Sequence, residues 1–300
     1  MSSPSLPRVA PPAITPSGLV FLAITSVGWG TNFPVMKFIL SEWPPLTPRG
    51  LTGLAGALGL ALLAGAFGQS LKVPRHLWPR LIVISLVTIT TWMTFMGLAL
   101  VWLPASEAAI ISISVPVWVS LIAWPVLGER ISLVRAVSLA VALGGITVLI
   151  GGKGIDASIA KLPGYLFAVA GTVLVASGTI LLKRFPMAMP PISLAAWQIA
   201  IGCLPVLTFG IWFERPAVAV LSGAGWAALA YMTVVQFCVA YACWFAALAR
   251  LPASTASIGT LMVPVIGVMS SALMLGEPLG IQAIAVLIVT IGSVAVAMRS

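Results

Sequence analysis

Charge is what this chain has least of. Asp, Glu, Lys and Arg make up 7% of its 300 residues, against roughly 25% in soluble domains, which excludes a water-facing globular fold. Six carboxylates and a single histidine leave no paired acid–base site. The three cysteines, Cys203, Cys238 and Cys243, fall inside apolar stretches without metal-ligand spacing. A membrane-embedded enzyme fails on that inventory, and no catalytic group, cofactor or metal is expected. The Gly151-Gly152-Lys153-Gly154 run has neither the spacing nor the Ser or Thr of a phosphate loop. Fifteen basic residues against six acidic give a formal charge of +9. In a soluble protein that excess points to nucleic acid. Here the bases sit in short loops, where they set orientation, and no nucleic-acid partner is expected.

Apolar residues are what the chain has instead: 60% of the sequence, with a mean hydropathy of +1.15. A spanning helix needs about 20 such residues. Runs bounded by Pro, Gly and charge fall at 18–40, 46–67, 79–100, 104–127, 131–150, 163–184, 191–212, 222–249, 252–275 and 279–298. The expected fold class is therefore an all-α polytopic membrane protein with ten transmembrane helices. The Pro- and Ser-rich residues 1–17 carry no apolar core of signal-peptide length and read as a disordered cytoplasmic tail.

The chain repeats itself. Leu103-Pro104-Ala105-Ser106, Val115-Pro116-Val117 and Leu127-Gly128-Glu129 recur 148 residues later as Leu251 to Ser254, Val263 to Val265 and Leu275 to Glu277. Aligned without a gap, Leu103–Val148 and Leu251–Val296 share 16 of 46 positions. The halves are thus 18–150 and 163–298. Five spans in each turn the second copy upside down, giving two inverted-topology repeats, an architecture typical of secondary transporters. With the N-terminus inside, ten Lys and Arg fall on the cytoplasmic side and five opposite. That bias places both termini in the cytoplasm of a bacterial-type inner (plasma) membrane.

Charged side chains are nearly absent from mid-span positions, where each costs about 2.5–3.5 kcal/mol to insert. Lys37, Arg49, Glu107, Lys183 and Glu214 all lie near helix ends, within reach of an interface or a vestibule. Glu107 is the one carboxylate near a pore; its plainer role is to complement the N-terminus of the helix opened by Leu-Pro-Ala-Ser. The mid-membrane chemistry is then mostly neutral. Stripes at helical spacing supply it: Thr25, Trp29, Asn32 and Met36; Thr88, Thr91, Trp92 and Phe95; Thr233, Gln236, Phe237, Ala240 and Trp244; Ser112, Pro116 and Ser120; and Ser257, Thr260 and Pro264. Ser and Thr can bond back to their own helix and Trp can anchor at the interface. The amides of Asn32 and Gln236 are harder to satisfy in that way. Trp29, Asn32, Trp92, Phe95, Ser112, Gln236, Trp244 and Thr260 are accordingly the expected substrate-binding residues. Pro116 and Pro264 are expected to be repeat-related kinks that serve gating. Gly144 and Gly292, matched in the repeat, are expected at a close helix contact.

Trp29-Gly30-Thr31-Asn32-Phe33 with Lys37, and the twice-used Leu-Pro-Ala-Ser, mid-helix Pro and Leu-Gly-Glu pattern, closely resemble EamA-type members of the drug/metabolite transporter superfamily. Nearly the whole chain is covered. Within that superfamily the sequence looks most similar to YddG-type bacterial aromatic amino acid exporters. The resemblance implies ten helices, a central cavity between the halves and outward movement of neutral amino acids. Arg49 stands where the family has an arginine, and Gln198 occupies the related place in the second half.

The expected function is export of aromatic and other neutral amino acids from the cytoplasm by alternating access, the partners being that small solute and the bilayer. A Trp-lined path also fits permanent cations. Export of drugs, quaternary ammonium solutes or other small metabolites, with proton coupling at Glu107, is therefore the alternative. The two differ in whether a carboxylate must compensate a cation.

Overall fold

The computed structural model describes residues 15–128, 133–151, 155–216, 221–252, 255–256 and 259–299, and among these no strand occurs. The expected tail falls almost wholly outside the described residues, as do Glu129, Ala253, Ser254 and Ser257. The chain runs through α1 (Pro16–Gly30), α2 (Asn32–Ile39), α3 (Thr47–Ala66), α4 (Trp78–Ser85), α5 (Thr91–Trp102), α6 (Ala105–Ser112), α7 (Val115–Leu127) and α8 (Leu133–Gly151). It continues through α9 (Ile155–Arg184), α10 (Pro191–Phe209), α11 (Gly223–Tyr231), α12 (Ala240–Leu248), α13 (Met262–Leu275) and α14 (Ile281–Arg299). Several of these are pieces of one longer rod. Among the described residues, seven continuous stretches are long and apolar enough to cross a membrane: Pro16–Ile39, Thr47–Ala66, Arg75–Trp102, Ala105–Leu127, Ile159–Arg184, Pro191–Glu214 and Gly223–Leu248. Three shorter apolar helices, Ala136–Gly145, Met262–Leu275 and Ala283–Val296, lie where the fifth, ninth and tenth runs were read.

Local sequence explains where these rods begin and end. Proline occupies the first turn of α1, α3, α4, α7 and α10, where its missing N–H costs nothing. Thr15 and Ser222 cap α1 and α11 by accepting from the backbone N–H groups of Gly18 and Gly225 at 3.2 and 3.0 Å. The glycine of each Leu-Gly-Glu closes its helix in the left-handed conformation, Gly128 at φ 70° and Gly276 at φ 65°, a step that a Cβ would penalise.

The glutamate of the second Leu-Gly-Glu reaches into the first repeat. α6 starts after Pro104, which offers no side-chain cap. Glu277 caps it instead, accepting from the Ala105 and Ser106 N–H groups at 2.7 and 2.9 Å and from Ser106 Oγ at 2.6 Å. The two recurring phrases thus bind each other across the halves of the chain. Two more helix starts are served likewise. Glu214 accepts from Leu46 N, Thr47 N and Thr47 Oγ1 at 2.7–2.8 Å, and Glu42 accepts from Ser222 N and Oγ at 2.9 and 2.5 Å. Glu107 reaches Tyr165 OH of the second half at 2.8 Å, and Lys161 Nζ, just ahead of that half, at 2.9 Å.

Packing inverts the soluble pattern, with large apolar side chains such as Leu58, Leu62, Trp212, Leu273 and Ile281 left exposed, as suits a lipid-facing surface. Along one face α3 packs closely on α10 and on the Met232–Val239 segment. A Cβ on Gly50 would lie 2.5 Å from the backbone of Leu207, and Gly53 and Gly56 meet Cys203 and Phe237, a small-residue face that lets helices approach closely. α8 packs along α14, but not through the expected glycines. A Cβ on Gly144 or on Gly292 would meet nothing within 4 Å, and it is Gly145 that faces Thr290, at 2.9 Å. One residue is about 100° of turn, so the repeat match identified the right pair of helices and the wrong face.

Candidate functional site

A cavity of about 490 Å³ lies in the middle of the bundle, a size usual for small-molecule sites. It is assembled from interrupted helices. α1 and α2 meet at Thr31, α6 and α7 at the turn Ile113–Ser114, and α13 begins after the turn Thr260–Leu261. Pro116 and Pro264 follow the last two breaks by two or three residues, and both line the cavity. A proline lacks the N–H for one intrahelical bond and its ring crowds the preceding turn, which favours the breaks here. Pro163 by contrast lies within the unbroken helix α9.

Two π-helical segments also border the cavity: Leu86–Thr90 between α4 and α5, and Met232–Val239 between α11 and α12. They overlap at the repeat offset of 148 residues. A π turn widens the helix and releases backbone groups from their usual partners, and such turns often mark functional sites. Here the carbonyl of Gln236 accepts from the Trp29 indole N–H at 3.3 Å. Thr90 Oγ1 donates to the carbonyl of Gly202 at 2.7 Å.

Of the ten singled-out residues, Trp29, Asn32, Trp92, Ser112, Gln236, Thr260, Pro116 and Pro264 line the cavity. Phe95 and Trp244 do not. Phe95 packs on Phe167 with ring centroids 5.8 Å apart, and Trp244 packs behind Trp29 at 5.7 Å. Their stripes were drawn for an uninterrupted 3.6-residue helix. After the π segments, Met96 and Tyr241 face the cavity in their place. Phe33, Met36, Met93 and Gln198 complete much of the remaining wall.

Arg49 lines the cavity as well. It sits in the first turn of α3 and is 2% exposed, so closeness to a helix end has not carried it to an interface. Among the described residues lining the cavity it is the single charged side chain. Its Nη1 and Nη2 point at the sulfurs of Met36 and Met93, at 3.0 and 3.7 Å, and its Nε has no partner. Three cavity amides are also incompletely satisfied: Asn32 Oδ1, Gln198 Nε2 and Gln236 Oε1. Two uncommitted acceptors and two uncommitted donors thus surround one space. Buried polar groups in folded proteins nearly all have partners, so this concentration makes the cavity the candidate site for polar groups that the fold itself leaves unpaired. Glu107 is 2% exposed, outside the cavity wall, and already bonded to Lys161 and Tyr165. Among the described residues no group of His, Cys, Asp and Glu is arranged to hold a metal ion.

A chain of apolar, membrane-length helices folded around an interior cavity is a polytopic membrane protein built to receive a small solute. The EamA-like transporter family model matches residues 16–151 and again 162–299, and the chain belongs to that family. The uncharacterized transporter YvbV of Bacillus subtilis is 27% identical over 92% of this chain and 89% of its own length. Proteins named probable amino-acid metabolite efflux pumps, from Salmonella typhimurium and Escherichia coli, are each 28% identical. They cover 86% and 90% of this chain, and 87% and 92% of their own. A solved crystal structure superposes with a TM-score of 0.68 at 22% identity, over 94% of this chain and 96% of that one, a likeness of fold. The chain is a multi-pass membrane transporter of the EamA type.

Proposed function

We propose that this transporter exports aromatic and other neutral amino acids from the cytoplasm by alternating access. On this reading the three shorter apolar helices complete ten spans, the halves are inverted repeats, and both termini face the cytoplasm. The observation that carries it is the pairing of an aromatic and methionine-rich cavity wall with uncommitted polar atoms of both kinds. Asn32 Oδ1 and Gln236 Oε1 can accept from an ammonium group, while Gln198 Nε2 can donate to an oxygen. Trp29, Phe33, Trp92 and Tyr241, with Met36, Met93 and Met96, offer flat and adaptable apolar surface to a side chain. The cavity volume holds one phenylalanine or tryptophan with a few waters. Two relatives named as amino-acid metabolite efflux pumps point the same way.

Pro116 and Pro264, at repeat-related breaks, are the bends about which the halves would rock. The alternative, export of permanent cations, loses support from the charges. A cavity whose charged wall residue is an arginine repels a cation, and Glu107 is engaged elsewhere. The test is counterflow: liposomes carrying the purified protein and loaded with unlabelled phenylalanine should accumulate external labelled phenylalanine, tryptophan or methionine. Accumulation no greater than in empty liposomes for every neutral amino acid would reject the substrate assignment.

A further inference from the structure

We infer that Arg49, with the amide of Asn32, is a carboxylate-binding subsite, so that the cavity selects solutes bearing a carboxylate and holds each in one orientation. The inference deepens the amino acid reading and rests on it for the identity of the solute. Its own warrant is the charge balance of the cavity.

A guanidinium is always protonated and carries five donors in a planar fork. Buried arginines in native proteins are paired, because an isolated charge taken out of water is expensive. Arg49 is buried, yet among the described residues no carboxylate lies within ion-pairing distance of it. Its partners are two thioether sulfurs, the weakest acceptors a protein has. The missing negative charge is therefore one that arrives and leaves.

Geometry narrows the visitor to a carboxylate. Met36 Sδ receives both Arg49 Nη1, at 3.0 Å, and Asn32 Nδ2, at 2.9 Å. One soft, flexible side chain thus stands where two strong donors converge. A carboxylate moving Met36 aside would accept a charge-assisted bond from the guanidinium through one oxygen and a bond from the amide through the other. The arginine is also held for the task. Its stem runs over Gly97 of α5, where a Cβ would come within 2.9 Å of Arg49 Cδ. The remaining polar atoms fit the other end of an amino acid. Gln236 Oε1 and Asn32 Oδ1 are unpaired acceptors facing the same cavity, suited to an ammonium one carbon away from the carboxylate. The side chain then points along Trp29, Trp92 and Tyr241.

The test compares four ligands with a common phenyl ring by titration calorimetry on the purified full-length protein: phenylalanine, 3-phenylpropionate, phenylalaninamide and phenethylamine. Phenylalanine should bind at least tenfold more tightly than its amide, and 3-phenylpropionate at least tenfold more tightly than phenethylamine. Arg49→Gln should abolish both preferences, and Arg49→Lys should retain part of each. The inference is overturned if the amide or the amine binds as well as the corresponding acid, if Arg49→Gln leaves the preferences intact, or if none of the four binds. The wild-type comparison decides even if the variants fail to fold. Should 3-phenylpropionate show the preference while no neutral amino acid undergoes counterflow, the export reading falls and the carboxylate subsite stands. Should phenylalanine counterflow survive Arg49→Gln unchanged, the subsite falls and export stands.

Discussion

Glu277→Gln should loosen one end of the bundle, by an amount the hydrogen bonds allow to be worked out. Glu277 accepts three bonds from the start of α6, from Ala105 N, Ser106 N and Ser106 Oγ, all at 2.6–2.9 Å. A glutamine can turn its oxygen toward Ser106, but its NH₂ then confronts the Ala105 N–H, donor against donor. The two surviving bonds fall from charge-assisted to neutral, and one backbone N–H loses its partner. At net values of about 1.5–3 kcal/mol for a bond to a charged group and about 0.5–1.5 for a neutral one, the loss is about 3 kcal/mol after allowing for partial solvent access. Because Glu277 and α6 belong to different halves, the loss falls on the conformation in which the halves meet at this end. A destabilisation of that size shifts the balance against that conformation by about a hundredfold. With the native cysteines removed and a cysteine placed at Met36, labelling by a water-soluble maleimide should be faster in Glu277→Gln when reagent is supplied from the Glu277 side. Equal rates in the variant and its parent, from either side, would refute the reasoning.

Three further outcomes follow from the packing and the bonds. Gly50→Ala should lower the thermal midpoint in detergent and cost about 1–3 kcal/mol, because the new methyl meets the Leu207 backbone and no rotamer can relieve it; Gly65→Ala, with open space around it, should not lower the midpoint. Glu107→Gln should weaken the fold by removing the charge that Lys161 pairs with and leaving one neutral oxygen to serve both Lys161 and Tyr165, yet leave the relative rates for phenylalanine and methionine counterflow unchanged; a changed substrate preference would place Glu107 in the path after all. Tyr231→Phe removes the hydroxyl that bonds Thr31 and, at 3.2 Å, the carbonyl of Gly28, so counterflow should slow if the α1–α2 break must keep its shape, and an unchanged rate would show that it need not.

What could be read from the sequence depended on periodicity and pairing rules. The apolar runs predicted the helices because burial in lipid demands length and hydropathy before anything else. Asn32 and Gln236 stood out because an amide cannot be satisfied by its own helix. The repeated Leu-Pro-Ala-Ser and Leu-Gly-Glu were visible as duplication, but their mutual bond was not, since Glu277 meets Ala105 only in the folded chain. Phe95 and Trp244 fall on the cavity stripe only if the helix keeps its 3.6-residue period, and they do not line the cavity. A π segment adds about a residue per turn, and nothing in Leu86–Thr90 or Met232–Val239 announces it. Arg49 was read as a residue free to reach an interface because depth was judged from distance along α3. The close approach of α3 to its neighbours, granted by Gly50, Gly53 and Gly56, buries that helix end.

The most direct measurement is the position of 4-bromophenylalanine in crystals of the full-length protein, read from bromine anomalous scattering and from the ligand density. The ring bromine is expected against the aromatic wall of Trp29, Trp92 and Tyr241, with the carboxylate within hydrogen-bonding distance of Arg49 and Asn32 and with Met36 displaced. A bromine site outside the cavity, or a ligand inside it whose carboxylate points away from Arg49, would contradict the assignment of this cavity as the path of an amino acid.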